Sequence, residues 1–133
     1  MIGAIHPTED FESRPYWDWL RKEDFRLQKC GGCGKFRFPA YPSCPYCGQR
    51  GGDWVPLSGR GEIYSWFVAN VTPEPRYKED VPYIIATIQL EEGPRIVSQL
   101  VGCFPEEVKA DMPVQGKYHR VDDKLVLYVF NPV

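Results

Sequence analysis

Four cysteines in two short motifs carry the clearest chemical signal in this chain. They form the pairs Cys30–Cys33 and Cys44–Cys47, each followed directly by a glycine, with residues 34–43 between the pairs. Each C-x-x-C pair can place two sulfurs on one metal ion, and the glycine permits the tight turn that aims backbone N–H groups at the thiolates. Four thiolates complete a tetrahedral shell, so the spacing predicts a structural site with no open coordination position. Zinc is the expected ion, and iron is the alternative.

The rest of the chain offers no second set of residues with catalytic spacing. Cys103 is a lone cysteine, and nothing in the sequence places His119 beside it as a base. Acidic pairs occur at 91–92, 106–107 and 122–123, where predicted turns and a helix start keep carboxylates solvated. No glycine-rich phosphate loop of the Walker or Rossmann type is present. We therefore expect a chain that is not catalytic by itself, and turnover through Cys103 is the weakest alternative.

Composition and length limit the classes of protein to which the chain can belong. The 133 residues are 43% hydrophobic and 14% aromatic, which is enough for one ordinary domain, or a small domain with an appendage, and argues against disorder. No apolar run is long enough to span a membrane, and the N-terminus lacks the pattern of a signal peptide. Five cysteines without an export signal are typical of a reducing compartment. The expected location is therefore the cytoplasm.

The charge is unevenly distributed along the chain. The formal net charge is −2, but residues 1–24 sum to −3, residues 25–60 to +5 and residues 61–133 to −4. The basic excess in the middle segment has two interpretations. It balances the negative charge of a zinc–tetrathiolate centre, or it forms a local site for a phosphate group.

Apolar periodicity and turn residues predict the elements that position the cysteines. A helical pattern runs from Thr8 to about Glu23, with Pro15 breaking or restarting it. Short strands at 25–29, 35–38 and 53–57 flank the two cysteine motifs and predict a zinc ribbon. Five strands follow, at 62–71, 81–90, 95–101, 114–121 and 125–130. The strand count, with an irregular stretch between the third and fourth, favours a small closed barrel of the OB type.

The predicted fold class is thus mainly β, with an N-terminal helix, a rubredoxin-like zinc ribbon and a five-stranded OB-fold barrel. The predicted boundaries are 1–24 for the helical segment, 25–60 for the ribbon and 61–133 for the barrel. Tyr16, Trp17 and Trp19 give the helix an unusually aromatic surface. These rings either pack on the rest of the fold or anchor a partner protein.

The order of these parts resembles a known family. It is the acyl-CoA-associated zinc-ribbon/OB-fold family, once classed as a domain of unknown function, whose members partner thiolase-superfamily enzymes. The resemblance covers about residues 11–130 and rests on the four cysteines together with a link and strand pattern. The matching residues of that pattern are Trp54, Pro56, Ser58, Gly59, Gly61, Tyr64, Ser65, Trp66, Pro82, Tyr83, Leu90 and Gly93.

This resemblance implies a non-catalytic accessory subunit of a thiolase-like enzyme, either a retro-aldolase or a thiolase, that acts on acyl-CoA esters. One branch of the family serves steroid side-chain degradation. The implied partner is a thiolase-superfamily protein in a hetero-oligomer, and the implied cofactors are a structural zinc ion and acyl-CoA as a ligand. The alternative function is a nucleic-acid-binding OB-fold and zinc-ribbon module, which the acidic barrel segment opposes.

Several residues are candidates for contact with coenzyme A or with the partner. Arg37, Arg50 and Arg60 could bind phosphate oxygens, bidentately if well placed. Tyr64 and Trp66, with Tyr83, could offer flat surface to the apolar arm of the ligand or to a partner protein. Packing within the barrel is the alternative role for each of these rings.

Overall fold

The computed structural model describes residue 3 and residues 5–133. The chain forms helix α1 (Arg14–Arg21), the short strands β1 (Arg26–Lys29), β2 (Phe36–Arg37) and β3 (Asp53–Pro56), and then five longer strands. The longer strands are β4 (Arg60–Ala69), β5 (Tyr83–Leu90), β6 (Arg95–Leu100), β7 (Pro113–Arg120) and β8 (Val126–Pro132). Single turns of 3-10 helix lie at Pro75–Tyr77 and Pro105–Glu107. The predicted fold class is confirmed.

Helix α1 is shorter than the sequence pattern predicts. The expectation of a helix from Thr8 is wrong, because the backbone becomes helical only at Arg14, with Pro15 in the first turn. Proline lacks the N–H that a helix interior needs but fits the first turn, where that group has no partner. The preceding turn is held by Asp10 and Ser13, whose side chains exchange hydrogen bonds with each other's backbone N–H groups at 3.1 and 2.7 Å.

The first three strands form a small antiparallel sheet in the order β2-β1-β3. Leu27 pairs with Val55 and Gln28 with Trp54 on one side, and Gln28 pairs with Arg37 on the other. The two cysteine motifs lie outside these strands, the first between β1 and β2 and the second between β2 and β3. The sheet therefore provides a base from which both motifs project toward one point.

The five longer strands close into a barrel in the order β4-β5-β6-β8-β7, with β7 pairing back to β4. All pairs are antiparallel except β6 with β8, which meet in parallel at Leu100 and Phe130. This order is that of an OB-fold. The barrel interior is filled by side chains that are almost fully buried, among them Ile63, Ile88, Leu90, Ile96, Val114, Val126 and Phe130.

A β-bulge in β4 changes the face on which its residues lie. Simple alternation predicts Ile63, Ser65 and Phe67 on one face, but the register shifts between Ile63 and Ser65. Ile63 is fully buried, whereas Phe67 is 59% exposed. The extra residue at the bulge moves every later side chain of the strand to the opposite face. An apolar ring consequently faces outward on the barrel.

Ribbon and barrel are joined through an aromatic contact. The buried ring of Phe25 stacks on Tyr128 of β8 with centroids 3.9 Å apart and planes within 10° of parallel. The Phe25 N–H also donates to the Tyr118 hydroxyl at 2.8 Å. Gly116 leaves the space that Tyr128 occupies, because a Cβ at that position would overlap its ring. The first residue of the ribbon is thus fixed to the barrel wall.

Candidate metal centre and the surfaces around it

The two cysteine motifs bring four sulfurs to one place. The Sγ atoms of Cys30, Cys33, Cys44 and Cys47 all lie within 4.8 Å of one another. The Sγ–Sγ distance is 3.5 Å between Cys30 and Cys47 and 3.6 Å between Cys33 and Cys44. A tetrahedral zinc ion with bonds of about 2.3 Å requires sulfurs about 3.8 Å apart. The four thiolates therefore fit zinc in both number and spacing.

Each motif adopts the same turn. The Gly34 N–H donates to the Cys30 carbonyl at 3.0 Å, and the Gly48 N–H donates to the Cys44 carbonyl at 2.9 Å. Both glycines have φ near +80°, at +75° and +80°, a region that side chains disfavour. The sequence prediction that these glycines permit the turns agrees with this backbone. One cysteine of each motif is buried and the other is exposed, so the centre lies at the surface of the ribbon.

Backbone N–H groups stabilise the thiolate form of the two buried cysteines. The Cys33 and Gly32 N–H groups point at the Cys30 sulfur from 3.5 and 3.3 Å and lower the pKa of Cys30 to about 6. Burial opposes the same change at Cys44, but the N–H groups of Cys47 and Tyr46 outweigh it and lower that pKa as well. Deprotonated sulfurs are the form that binds zinc.

Arg37 supports the ribbon from inside. Its side chain is only 3% exposed and donates to the Gln28 side-chain oxygen at 3.1 Å. It also donates to the carbonyls of Tyr41 and Gly51, at 3.1 and 2.7 Å, which lie before and after the second cysteine motif. These bonds tie the loop that carries the motif to strands β1 and β2. The structure therefore places the predicted phosphate ligand Arg37 in a structural position.

Three of the other predicted contact residues lie along β4, whereas Tyr83 begins β5 and Arg50 forms an isolated bridge with Ser43 in the ribbon. Arg60 forms a bidentate ion pair with Glu91, at 3.1 and 2.8 Å. The Tyr64 ring lies 3.7 Å from the guanidinium of Arg95, a residue that the sequence reasoning did not select. Trp66 is 37% exposed, and its backbone pairs with the buried Ala86. Sequence gave no signal for the pairing of Arg95 with Tyr64, because it depends on the register of the barrel strands.

Two family models match the chain over most of its length. One is described as the rubredoxin-like zinc ribbon domain of ChsH2 and matches residues 17–51, and the other is the C-terminal OB-fold domain of ChsH2 and matches residues 54–119. A DUF35 domain-containing scaffold protein of Methanocaldococcus jannaschii is 37% identical over 112 residues, which cover 79% of each chain. The chain belongs to the ChsH2 (DUF35) family. Its four-cysteine ribbon is thus a zinc ribbon.

Other relatives of this DUF35-family chain are named as enzyme subunits. A probable enoyl-CoA hydratase alpha subunit of Thermomonospora curvata is 39% identical over 126 residues, which are 95% of this chain but 39% of that relative, so the chain spans less than half of it. A benzoylsuccinyl-CoA thiolase subunit of Thauera aromatica is 34% identical over 79% of this chain and 74% of its own. A 3-oxo-4,17-pregnadiene-20-carboxyl-CoA hydratase alpha subunit of Mycobacterium tuberculosis is 30% identical over 98% of this chain and 40% of its own.

A solved structure repeats the whole arrangement of ribbon and barrel. Our chain matches a chain of the structure described as the Ltp2–ChsH2(DUF35) aldolase, with a TM-score of 0.86 and 33% sequence identity. The match covers 96% of this chain and 98% of the other. The sequence-based recognition of the family is confirmed.

The surroundings of Cys103 and His6 indicate structural roles for both residues. Burial, with a smaller contribution from the Glu107 carboxylate, raises the pKa of Cys103, which is the opposite of what activates a thiol nucleophile. His6 contacts the Asp122 carboxylate at 3.0 Å and so ties the N-terminal segment to the β7–β8 hairpin.

Among the described residues, no helix is both long and apolar enough to cross a membrane.

Proposed function

We propose that this chain is the non-catalytic accessory subunit of a thiolase-like enzyme, a retro-aldolase or a thiolase, that acts on acyl-CoA esters. The observation that carries the proposal is the similarity to the ChsH2(DUF35) aldolase structure over nearly the full length of both chains. The family relatives named as CoA-ester hydratase and thiolase subunits support the same class of substrate. In this role the zinc ion, held by four thiolates, stabilises the ribbon and leaves no coordination position for a substrate.

The outer face of the barrel supports docking of a protein partner. Ser65, Thr87 and Val97 pair across β4, β5 and β6 and share one face with Phe67. Phe67 is 59% exposed and Val97 is 58% exposed. Large apolar side chains grouped on one face typically mark an interaction surface. We propose that this β4–β6 face contacts the thiolase-like partner.

Co-expression tests the partnership. The chain should co-purify with the thiolase-like protein of its own organism as a hetero-oligomer that cleaves or forms carbon–carbon bonds in acyl-CoA esters. Phe67→Glu should abolish co-purification, whereas Phe104→Glu, at a 73% exposed phenylalanine outside the strands, should leave it unchanged. The proposal fails if the chain purifies alone and raises no activity in that protein.

We also propose, more specifically, that the barrel contacts acyl-CoA directly. Trp66 offers a partly exposed ring, and Arg60 could release Glu91 to bind phosphate, since this ion pair lies at the surface. A Trp66→Leu variant should then weaken acyl-CoA binding by the assembled complex without changing its stoichiometry. The pregnadiene-carboxyl-CoA relative supports a steroid-derived acyl group. Turnover of steroid and arylsuccinyl esters by the purified complex would separate these acyl groups.

The domain boundaries and the nucleic-acid alternative are tested separately. We propose that the segments 1–24, 25–60 and 61–133 are the units of the chain, which limited proteolysis with and without zinc would map.

The net +5 of residues 25–60 favours nucleic-acid binding, but the net −4 of residues 61–133 opposes it. Binding of single-stranded DNA or RNA that weakens steeply with salt would support this alternative over the accessory subunit.

A further inference from the structure

A cleft of about 330 Å³ separates the second cysteine motif from the β5–β6 hairpin. One wall is aromatic and comes from the ribbon, and the other comes from the hairpin. The lining residues are Phe36, Arg37, Phe38, Tyr41, Pro45 and Tyr46 on the ribbon side and Gln89, Gly93, Pro94 and Arg95 on the hairpin side. This volume is within the range of small-molecule sites.

Arg95 is held in one orientation at the edge of this cleft. Its guanidinium lies 3.7 Å from the ring centroid of Tyr64, and its Nε donates to the Gln89 side-chain oxygen at 2.9 Å. The two terminal nitrogens have no acceptor within the described part of the chain. A guanidinium fixed by a ring and one hydrogen bond presents its remaining N–H groups as a preorganised fork for an oxyanion.

The charged side chains that line the cleft, among the described residues, are two cations, Arg37 and Arg95. No acidic residue is among the described residues that line it. Lys35 is not among the lining residues, but its Nζ lies 4.7 Å from the ring centroid of Tyr46, which is a lining residue. Arg37 is buried in the wall among neutral acceptors, and its Nη1 has no hydrogen-bond partner. Within the described residues, neither Lys35, Arg37 nor Arg95 forms an ion pair with a carboxylate.

We propose that this cleft binds a phosphate group of a small ligand, with Arg95 as the bidentate donor and Tyr64 as the residue that positions it. Arg95 is the exposed cation of the cleft, and the buried Arg37 adds positive charge from behind the wall. Two nearby positive charges favour a dianionic phosphate or a diphosphate over a single carboxylate. The rings of Phe36, Tyr41 and Tyr46 provide a flat surface for an attached planar group. The negative charge of the zinc–thiolate centre beside Tyr46 opposes binding and predicts modest affinity.

The test uses the zinc-loaded full chain without any partner, so its outcome is independent of the proposed accessory role. Calorimetric titration at low ionic strength would use pyrophosphate, adenosine 3′,5′-bisphosphate and a poly-glutamate peptide as three separate probes. The matched variants are Arg95→Gln, Arg95→Lys and Arg14→Gln. Arg14 is exposed like Arg95 but lies on helix α1, outside the cleft, so the last variant removes one positive charge without touching the proposed site.

We expect saturable binding of both phosphates that Arg95→Gln weakens by about tenfold or more, because charge-assisted bidentate bonds are lost. Arg95→Lys should restore only part of that loss, because lysine keeps the charge but not the fork. Arg14→Gln should change affinity by less than about twofold, as screened surface charges do. Stronger binding of the bisphosphate than of pyrophosphate would show that the adenine stacks on the aromatic rings of the cleft. Equal binding of the two would show that the cleft recognises the phosphate groups and not the attached planar group.

A second pair of variants tests the positioning role of Tyr64. Tyr64→Phe keeps the ring beneath Arg95 and should bind pyrophosphate like the unchanged chain, whereas Tyr64→Leu should weaken binding. Circular dichroism and zinc content would show that both variants remain folded. The proposal is overturned by equal losses in Arg95→Gln and Arg14→Gln, by binding of poly-glutamate alone, or by the absence of saturable phosphate binding in the millimolar range.

Discussion

Replacing Phe25 by alanine should release the ribbon from the barrel. The Phe25 ring is 2% exposed and stacks on Tyr128, while its backbone N–H and carbonyl bond to Tyr118 and Leu57. Truncating a buried phenylalanine costs about 3–5 kcal/mol, since the transfer free energy is lost and a cavity remains. A domain of this size has a total stability of about 5–15 kcal/mol, so the loss is a large fraction of it.

Urea unfolding with two signals measures this effect. Circular dichroism would follow the β-structure, and a chromophoric chelator in the same samples would follow zinc release. We expect the unchanged chain to lose both signals together, and Phe25→Ala to release zinc at a lower urea concentration than it loses β-structure. The control is Phe11→Ala, because that ring is 84% exposed and should cost almost nothing. Equal free energies of unfolding for the two variants would refute the idea that the Phe25–Tyr128 stack joins ribbon to barrel.

Three further changes test the zinc centre, the ribbon contact and a surface carboxylate. Cys44→Ser should lose the bound zinc, whereas Cys103→Ser should retain it, as metal analysis of the purified variants would show. Tyr118→Phe removes the acceptor of the Phe25 N–H and should lower the free energy of unfolding by about 1–3 kcal/mol in urea titrations; an unchanged value would mean that water replaces the hydroxyl. Backbone N–H donors of the hairpin turn lower the pKa of Asp122 below its ordinary 3.8, so its contribution to stability exists above that pH and is lost as pH falls through the lowered value. Thermal melts of Asp122→Asn should therefore differ from those of the unchanged chain near neutral pH and converge with them in acid, and a constant difference would contradict this.

Local signals in the sequence sufficed to predict the ribbon and the barrel. The C-x-x-C-G motifs fix a metal site through the turn that each glycine permits, which is a property of a few adjacent residues. The strand segments follow from alternation and turn residues, and their boundaries agree with the structure to within about two residues. The family resemblance added what these patterns do not contain, namely a partner and a class of substrate.

Features that depend on distant pairing were not predictable in the same way. The bulge after Ile63 turns Phe67 outward, and only the register between β4 and β5 reveals it. The Arg60–Glu91 pair and the Arg95–Tyr64 contact each join residues that are 31 apart in sequence. Arg37 has the composition of an exposed phosphate ligand, but its pairing with Gln28 across the ribbon places it inside. In each case the tertiary contact decides what the residue type leaves open.

The most direct test of the accessory-subunit account is the mass and activity of the purified assembly. Light scattering after size exclusion would give the stoichiometry of the chain co-expressed with the thiolase-like protein, and acyl-CoA turnover would be measured for each component and for the complex. The account predicts a zinc-containing hetero-oligomer whose activity requires both chains. Turnover by the isolated chain, or full activity of the thiolase-like protein without it, would contradict the account.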